Sequence, residues 1–333
     1  MGTDEGHAGQ RRGRRLGLMG PATSAFTREA RRTPGFGLFD WLHGYVYARW
    51  PYLYIGIGTG GHRLARVFGP LVRAVSRLLP SRADDAAERR PNAVAEGYHG
   101  KVVRPEAAQR LVTVEQDIEL RDLEQIIPYS KARDIVLRNP DHIVVLDCPC
   151  RVSRSNPCLP LDVCLIVGEP FASMVAEHHP GRSRWITPDE AVEILRAEHE
   201  RGHVHHAFFK DAMLGRFYAI CNCCSCCCGA MAAWRNGTPM LASSGYVARV
   251  DPDLCVGCGL CAEACPFDAL AIEGDTVAVD REACMGCGVC VSRCEQGALS
   301  LVRDSSKSPP LELDELTHCG MESPERRAAA DVI

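Results

Sequence analysis

The sequence predicts an α+β protein in two parts: a cysteine-rich central module and a small duplicated domain that follows it. Three observations carry that reading. Between residues 101 and 245, short apolar runs bounded by turn residues are interspersed with well-signalled helical segments. All but one of the 19 cysteines lie between Cys148 and Cys294. From Val250 onward the chain repeats itself with a period of 29 residues. The length of 333 residues suits two domains, and 46% hydrophobic against 24% charged residues is the balance of a folded chain rather than a disordered one. The net charge is -4, from 38 Lys plus Arg against 42 Asp plus Glu, so there is no overall electrostatic case for a nucleic-acid partner.

Residues 1–35 hold seven arginines and read as a basic disordered arm. Arg14-Arg15 precede the apolar Leu16–Met19, but Gly20-Pro21 breaks that stretch short of the 7 to 15 apolar residues of an export signal. No apolar run is long enough for a membrane span, so the expected location is the cytoplasm, at a membrane surface if the next segment docks there. That segment, 36–80, begins with Phe36, Phe39, Trp41, Tyr45, Tyr47, Trp50, Tyr52 and Tyr54, eight of the 21 aromatics. It continues as an amphipathic helical pattern through Leu64, Val67, Phe68, Leu71, Val72, Val75, Leu78 and Leu79, with arginines at other angles. Such a region suits either the protein's own core or a redox partner or membrane surface. Residues 81–100, rich in Arg, Asp, Glu and Ala, read as a linker.

The central module, 101–245, opens with a short helix expected from Ser130 to Arg138, ended by Asn139-Pro140. His142–Leu146 then reads as a buried strand that delivers Cys148 and Cys150. Thr187-Pro188-Asp189-Glu190 is a capping box with proline at the first helical position, which predicts a helix to about Arg201, stopped at Gly202. His203–Phe209 reads as a strand, and Phe217–Ile220 as another that runs directly into Cys221.

In the duplicated domain, 246–303, Val250–Cys255 is matched by Val279–Cys284. The cysteines of each half follow C-x2-C-x2-C-x3-C: Cys255, Cys258, Cys261 and Cys265, then Cys284, Cys287, Cys290 and Cys294. Here the chain resembles the bacterial two-cluster ferredoxin domain, in which each half gives three cysteines to one 4Fe-4S cubane and the fourth to the other. The resemblance implies that Cys255, Cys258, Cys261 and Cys294 hold one cluster, and that Cys284, Cys287, Cys290 and Cys265 hold the second. Gly257, Gly259, Gly286 and Gly288 allow the loops to curl around a cube. Cys265, followed by Pro266, is expected to start a helix that leads away from its own loop. Glu295 stands where the family usually has proline. Ala269–Ile272 and Thr276–Val279 form the expected hairpin across Gly274-Asp275. The last stretch, 304–333, reads as a disordered tail holding Cys319.

Ten cysteines remain in the central module: Cys148, Cys150, Cys158 and Cys164, then Cys221, Cys223, Cys224, Cys226, Cys227 and Cys228. Six thiols within eight residues point to metal or redox chemistry, since several would otherwise sit in solvent and oxidise. The ten are candidate ligands of at least one further centre, with an additional iron-sulfur cluster expected and zinc or labile thiol chemistry as the alternatives. Overlapping x2 pairs leave the ligand subset open. Cys227-Cys228-Gly229 is weakly similar to the Cys-Cys-Gly motif of heterodisulfide reductase subunits, without that family's flanking cysteine spacing. The whole central module resembles one in uncharacterised bacterial proteins that carry a C-terminal ferredoxin domain. His178, His179, His203, His205 and His206 could ligate metal, shuttle protons or simply be hydrogen-bonded. Arg151 could offset the charge of a thiolate-bound cluster. Neither a dinucleotide fingerprint nor a P-loop is present, so no NAD or ATP site is expected.

The sequence therefore predicts an iron-sulfur electron-transfer protein that passes single electrons between two 4Fe-4S clusters and a further cysteine-ligated centre, working with a redox partner protein. Two rival readings are an oxidoreductase whose central cysteines are the active site for a disulfide or related substrate, and a redox or metal sensor.

Overall fold

A computed structural model of the chain describes residues 20–60, 97–120, 123, 126 and 134–320, with no side-chain detail at 317–320. The amphipathic pattern over 64–79 and most of the expected linker lie outside those residues. So does the side chain of Cys319.

The element order begins with helices α1 (Pro21–Ala30), α2 (Leu38–Arg49) and α3 (Pro51–Gly58). Strand β1 (Tyr98–Val102), helix α4 (Pro105–Val112) and the small pair β2 (Ile118–Leu120) and β3 (Ile135–Leu137) come next. Then follow β4 (Ile143–Asp147), α5 (Pro149–Val152), β5 (Asp162–Val167), α6 (Phe171–His178), β6 (Ser183–Ile186), α7 (Pro188–Glu200), β7 (Val204–Lys210), β8 (Arg216–Cys223), α8 (Gly229–Arg235) and β9 (Leu241–Ala242). The last part has β10 (Tyr246–Val250), α9 (Leu260–Glu263), the hairpin β11 (Leu270–Glu273) and β12 (Thr276–Val279), α10 (Val289–Arg293), β13 (Leu299–Arg303) and α11 (Leu313–Gly320).

Seven strands form one sheet in the order β6-β4-β5-β8-β7-β1-β9, antiparallel except at the β1–β9 edge. Its central strands are buried on both faces, which explains their near-continuous apolar runs. Side chains alternate between two cores. On one side Phe26, Phe171, Phe208, Tyr218, Cys164 and Cys223 pack beneath α1, α2 and α6. On the other, Leu111, Leu195, Phe209, Phe217 and Ile220 pack beneath α4 and α7. Thr187 caps α7 by accepting from the Glu190 amide at 3.2 Å, and that helix spans the residues its capping box predicts.

Several expectations need correction. Residues 21–30 are not part of a disordered arm: Pro21 starts α1, whose Phe26 is completely buried. The module starts before Lys101, because Tyr98 and Gly100 already belong to β1. The helix expected up to Arg138 is contradicted at its end, where β3 pairs with β2 and Ile135 and Leu137 enter the core; β-branched Ile135 and Val136 favour the strand. The stretch after Arg303 is not a free tail as far as residue 316. Leu311 and Leu313 are buried, Lys101 donates to the Ser308 hydroxyl and the Pro309 carbonyl at 2.8 Å, and Arg104 pairs with Glu312. Of the aromatic segment, Phe36, Trp41, Tyr45, Tyr47 and Tyr52 pack on the protein's own core, while Leu38 and Phe39 stay exposed. Among the described residues, no helix is long and apolar enough to cross a membrane.

Candidate metal centres

The duplicated domain is held by β10 pairing with β13 and by the β11–β12 hairpin, which turns at Gly274 with φ +63°. Its eight cysteines gather into two cavities of about 20 Å³ each, one lined by Cys255, Cys258, Cys261 and Cys294 and the other by Cys265, Cys284, Cys287 and Cys290. Each group takes three thiols from one repeat and one from the other. Cys265 does not start a helix; it follows α9, and the Ala269 amide donates to its sulfur at 3.3 Å. The Ala248 amide likewise donates to Cys284 at 3.4 Å. Gly286 has φ +63°, and a Cβ there would lie 2.2 Å from the Tyr246 carbonyl oxygen, so only glycine lets this loop close. Soft sulfur donors with backbone amides turned toward them suit an iron-sulfur cluster.

The two cavities differ in setting. Cys258 is exposed, and around its loop Leu254, Val256, Leu260 and Ile272 are also exposed. Cys284, Cys287 and Cys290 are buried, and burial pushes the Cys290 thiol up to about 12. Met285, Cys287 and Val289 belong to the same core as the central cysteines Cys148, Cys164, Cys223 and Cys228.

The ten central thiols are delivered from sheet ends that are remote in sequence. Cys148 follows β4 and Cys150 lies in α5; Cys164 is on β5, where it pairs in register with Cys221 on the adjacent β8. Cys228 precedes α8. Thiol-thiol interactions run from Cys221 through Cys164, Cys148, Cys150 and Cys228 to Cys223. These six line a cavity of about 400 Å³ together with Cys224 and Cys227, and its other walls include Tyr47, Tyr54, Tyr98 and Tyr218. Cys148 is pushed up to about 12, first by its contact with Cys150 and then by burial.

The remaining four, Cys158, Cys224, Cys226 and Cys227, have sulfurs that all lie within 4.8 Å of one another. Cys158 and Cys226 are 2.9 Å apart, and Cys226 is exposed. Burial is the largest single influence on the Cys226 pKa and raises it, but the neighbouring thiols Cys158, Cys227 and Cys224 together outweigh it, leaving this thiol below its ordinary value. The loop that carries these thiols is anchored by Arg154, which donates to the Cys227 carbonyl at 3.2 Å, and by Arg235, which donates to the Ser225 carbonyl at 2.7 Å. The same Arg235 reaches the Pro266 carbonyl at 3.1 Å, and Trp234 meets Phe267 edge-on at 5.2 Å, so the cysteine loop is tied to the neighbourhood of Cys265.

Arg151 is completely buried between the two thiol groups. Its guanidinium donates to Glu198 at 2.5 Å and to the Asn222 carbonyl at 3.1 Å. Glu198 was not singled out by the sequence, because it reads as one more acidic residue of an exposed helix; only the fold turns it inward. Burial would raise its pKa, but His203 and Arg151 overcome that and hold it below the usual carboxylate range. Four of the five candidate histidines are hydrogen-bonded within the scaffold. His203 bonds to Glu198 at 2.7 Å, His205 to the Asn222 side-chain oxygen at 2.6 Å, His178 to Thr23 at 3.0 Å, and His179 to the Ala48 carbonyl at 2.7 Å. Burial lowers His206 to about 3, so its ring is neutral. Asn222 also donates to the Val163 carbonyl at 2.8 Å, which locks β8 to β5 between two cysteines.

Two consecutive stretches, residues 248–271 and 277–300, match the 4Fe-4S binding domain. No curated protein matches the chain. The two motifs support two 4Fe-4S clusters, and the central cysteine group is compatible with an additional metal centre. Residues 248–300 are therefore a two-cluster ferredoxin-like domain, and iron-sulfur electron transfer is the chemistry this chain carries.

Proposed function

We propose that the protein relays single electrons between an external redox partner and a metal centre held by the central cysteines, by way of the two ferredoxin-type clusters. In this reading Cys255, Cys258, Cys261 and Cys294 hold the outer cluster, and Cys265, Cys284, Cys287 and Cys290 hold the inner one. One observation carries it: the loop of Cys287 shares a buried core with Cys148, Cys164, Cys223 and Cys228, whereas the loop of Cys258 is exposed. The inner site therefore lies on the side of its domain that packs on the central module, where Arg235 and Trp234 meet Pro266 and Phe267 beside Cys265. The outer site is surrounded by the apolar side chains of Leu254, Val256, Leu260 and Ile272, as suits a transient redox contact. A 4Fe-4S cluster supplies one-electron chemistry; the chain's own residues fix its place, shield the inner site from water and turn amides toward its sulfurs.

Rapid-freeze EPR of the anaerobic full chain tests the relay. After a sub-stoichiometric pulse of a low-potential dye, reduction should reach the ferredoxin-type clusters first and the central centre afterwards. Cys258→Ser should slow the second phase. A central centre that stays oxidised while both ferredoxin-type clusters are reduced would overturn the proposal.

A second reading, an oxidoreductase with its active site at the central cysteines, is favoured by one observation. The central cysteine-lined cavity is about 400 Å³, against about 20 Å³ at each ferredoxin-type site, and lies in the range of small-molecule pockets. Dye-driven turnover of disulfide and quinone acceptors by the full chain, abolished by Cys148→Ser, is the expected result under that reading.

A further inference from the structure

Within the reading that the central cysteines hold metal, their arrangement divides them into two sites of different kind. Among the described residues, Cys158, Cys224, Cys226 and Cys227 form the only group of three or more His, Cys, Asp or Glu side chains with ligand atoms this close, all within 4.8 Å of one another. The thiols at the two ferredoxin-type cavities do not meet that spacing. Those cavities provide a scale within the same molecule. A cubane places iron and sulfide between its thiolates and holds them apart, whereas a single tetrahedral ion with metal-sulfur bonds of about 2.3 Å draws four sulfurs to within about 4 Å of one another. The group runs from the exposed Cys226 to the buried Cys224 and Cys227, on a loop held by Arg154 and Arg235 through backbone carbonyls. The closest partners of its sulfurs are one another, at 2.9 Å for Cys158 and Cys226 and 3.6 Å for Cys226 and Cys227, and none is in a disulfide.

The other six thiols have the opposite geometry. They run as a chain around a cavity of about 400 Å³, which Cys224 and Cys227 of the first group also border, and come from the end of β4, α5, β5, β8 and the residue before α8. Their spread is too wide for one ion.

We propose that the central cysteines form two separate metal sites: a mononuclear site in which Cys158, Cys224, Cys226 and Cys227 bind one thiophilic divalent cation, and a six-thiol chamber that holds a polynuclear iron-sulfur cluster. The cation is Zn²⁺ or Fe²⁺, which share this tetrahedral sulfur chemistry. The mononuclear site fastens Cys158 to the Cys224–Cys227 loop and closes one edge of the chamber. The chamber is the centre that exchanges electrons.

Metal and acid-labile sulfide are measured on the anaerobically isolated full chain and on two double variants, Cys158→Ser/Cys226→Ser and Cys148→Ser/Cys164→Ser. The first should lose about one metal ion per chain and no sulfide; whether zinc or iron falls identifies the cation. The second should lose several irons together with their sulfide and keep the single ion. Loss of about four irons and four sulfides from the first variant would mean a cubane there, and would overturn the division. So would an unchanged metal content, or loss of both centres together in either variant. Crystals of the unmodified chain, recorded on both sides of the iron and zinc absorption edges, give a readout independent of variant folding. One isolated peak among Cys158, Cys224, Cys226 and Cys227 and several adjoining peaks in the chamber are expected. Several peaks at the first site, none at either, or disulfide bonds in place of metal would refute it. These counts stand whether or not electrons flow between the sites, so failure of the relay and failure of this division are separately visible.

Discussion

The ferredoxin-like domain and the central module both gather cysteines, but by different means. In residues 248–300 each group of three thiols comes from one tight loop with glycines at positive φ, and the duplication supplies the rest. In the central module the thiols converge because β4, β5 and β8 lie side by side, with the ends of β4 and β8 meeting the start of the antiparallel β5. A locally built site depends on its loops, whereas a site built from distant strands depends on the core beneath it. Damage to that core should therefore empty the central sites and leave the ferredoxin-type sites filled.

Substitutions can break or sharpen this contrast. The largest effect is expected from Glu198→Gln, which leaves the buried Arg151 without its carboxylate. Removing one partner of a buried ion pair costs about 3–5 kcal/mol. Denaturation of the anaerobic protein, followed by cluster absorbance and EPR, should show the central centres lost at lower denaturant while the ferredoxin-type signals persist. Next is Gly286→Ala, whose Cβ would lie 2.2 Å from the Tyr246 oxygen and 2.4 Å from the Ser244 hydroxyl. Strain and overpacking together cost roughly 2–4 kcal/mol, and the inner cluster's EPR signal should vanish while the outer one remains.

The third effect depends on pH. The folded-state pKa of Glu198 lies below its unfolded value near 4.5, so its contribution is fully present above pH 4.5 and is lost as the pH falls through the folded value. The stability gap between the natural chain and Glu198→Gln should therefore be constant near neutrality and narrow on acidification. A gap that widens instead would show that Glu198 is not held ionised by Arg151 and His203. The smallest effect is expected from Gly274→Ala, where φ is +63° but an added Cβ meets nothing within 4 Å. The cost is backbone strain alone, about 1–2 kcal/mol, with both clusters retained.

What the sequence revealed follows the same division. The 29-residue repeat, the cysteine spacing and the Thr187 capping box are local signals, and each is readable without a partner segment. The strands leading to Cys148 and Cys221 were also legible, because continuous apolar runs ending at turn residues mark buried strands. The division of the ten central cysteines was not. It depends on Cys158 meeting Cys226 across 68 residues and on Cys164 lying opposite Cys221, which overlapping spacings within 221–228 cannot encode. The inward turn of Glu198 was hidden for the same reason, since its partner lies 47 residues away. The burial of Phe26 had a readable sign in Pro21, a proline suited to the first turn of a helix, which the surrounding arginines obscured.

Arg235 has one further consequence. By gripping the Ser225 and Pro266 carbonyls with the two arms of one guanidinium, it fixes the gap between a central cysteine loop and the corner beside Cys265. Under the proposed relay, that gap lies on the path between the inner cluster and the central thiols, so loss of Arg235 would be felt there as a looser spacing.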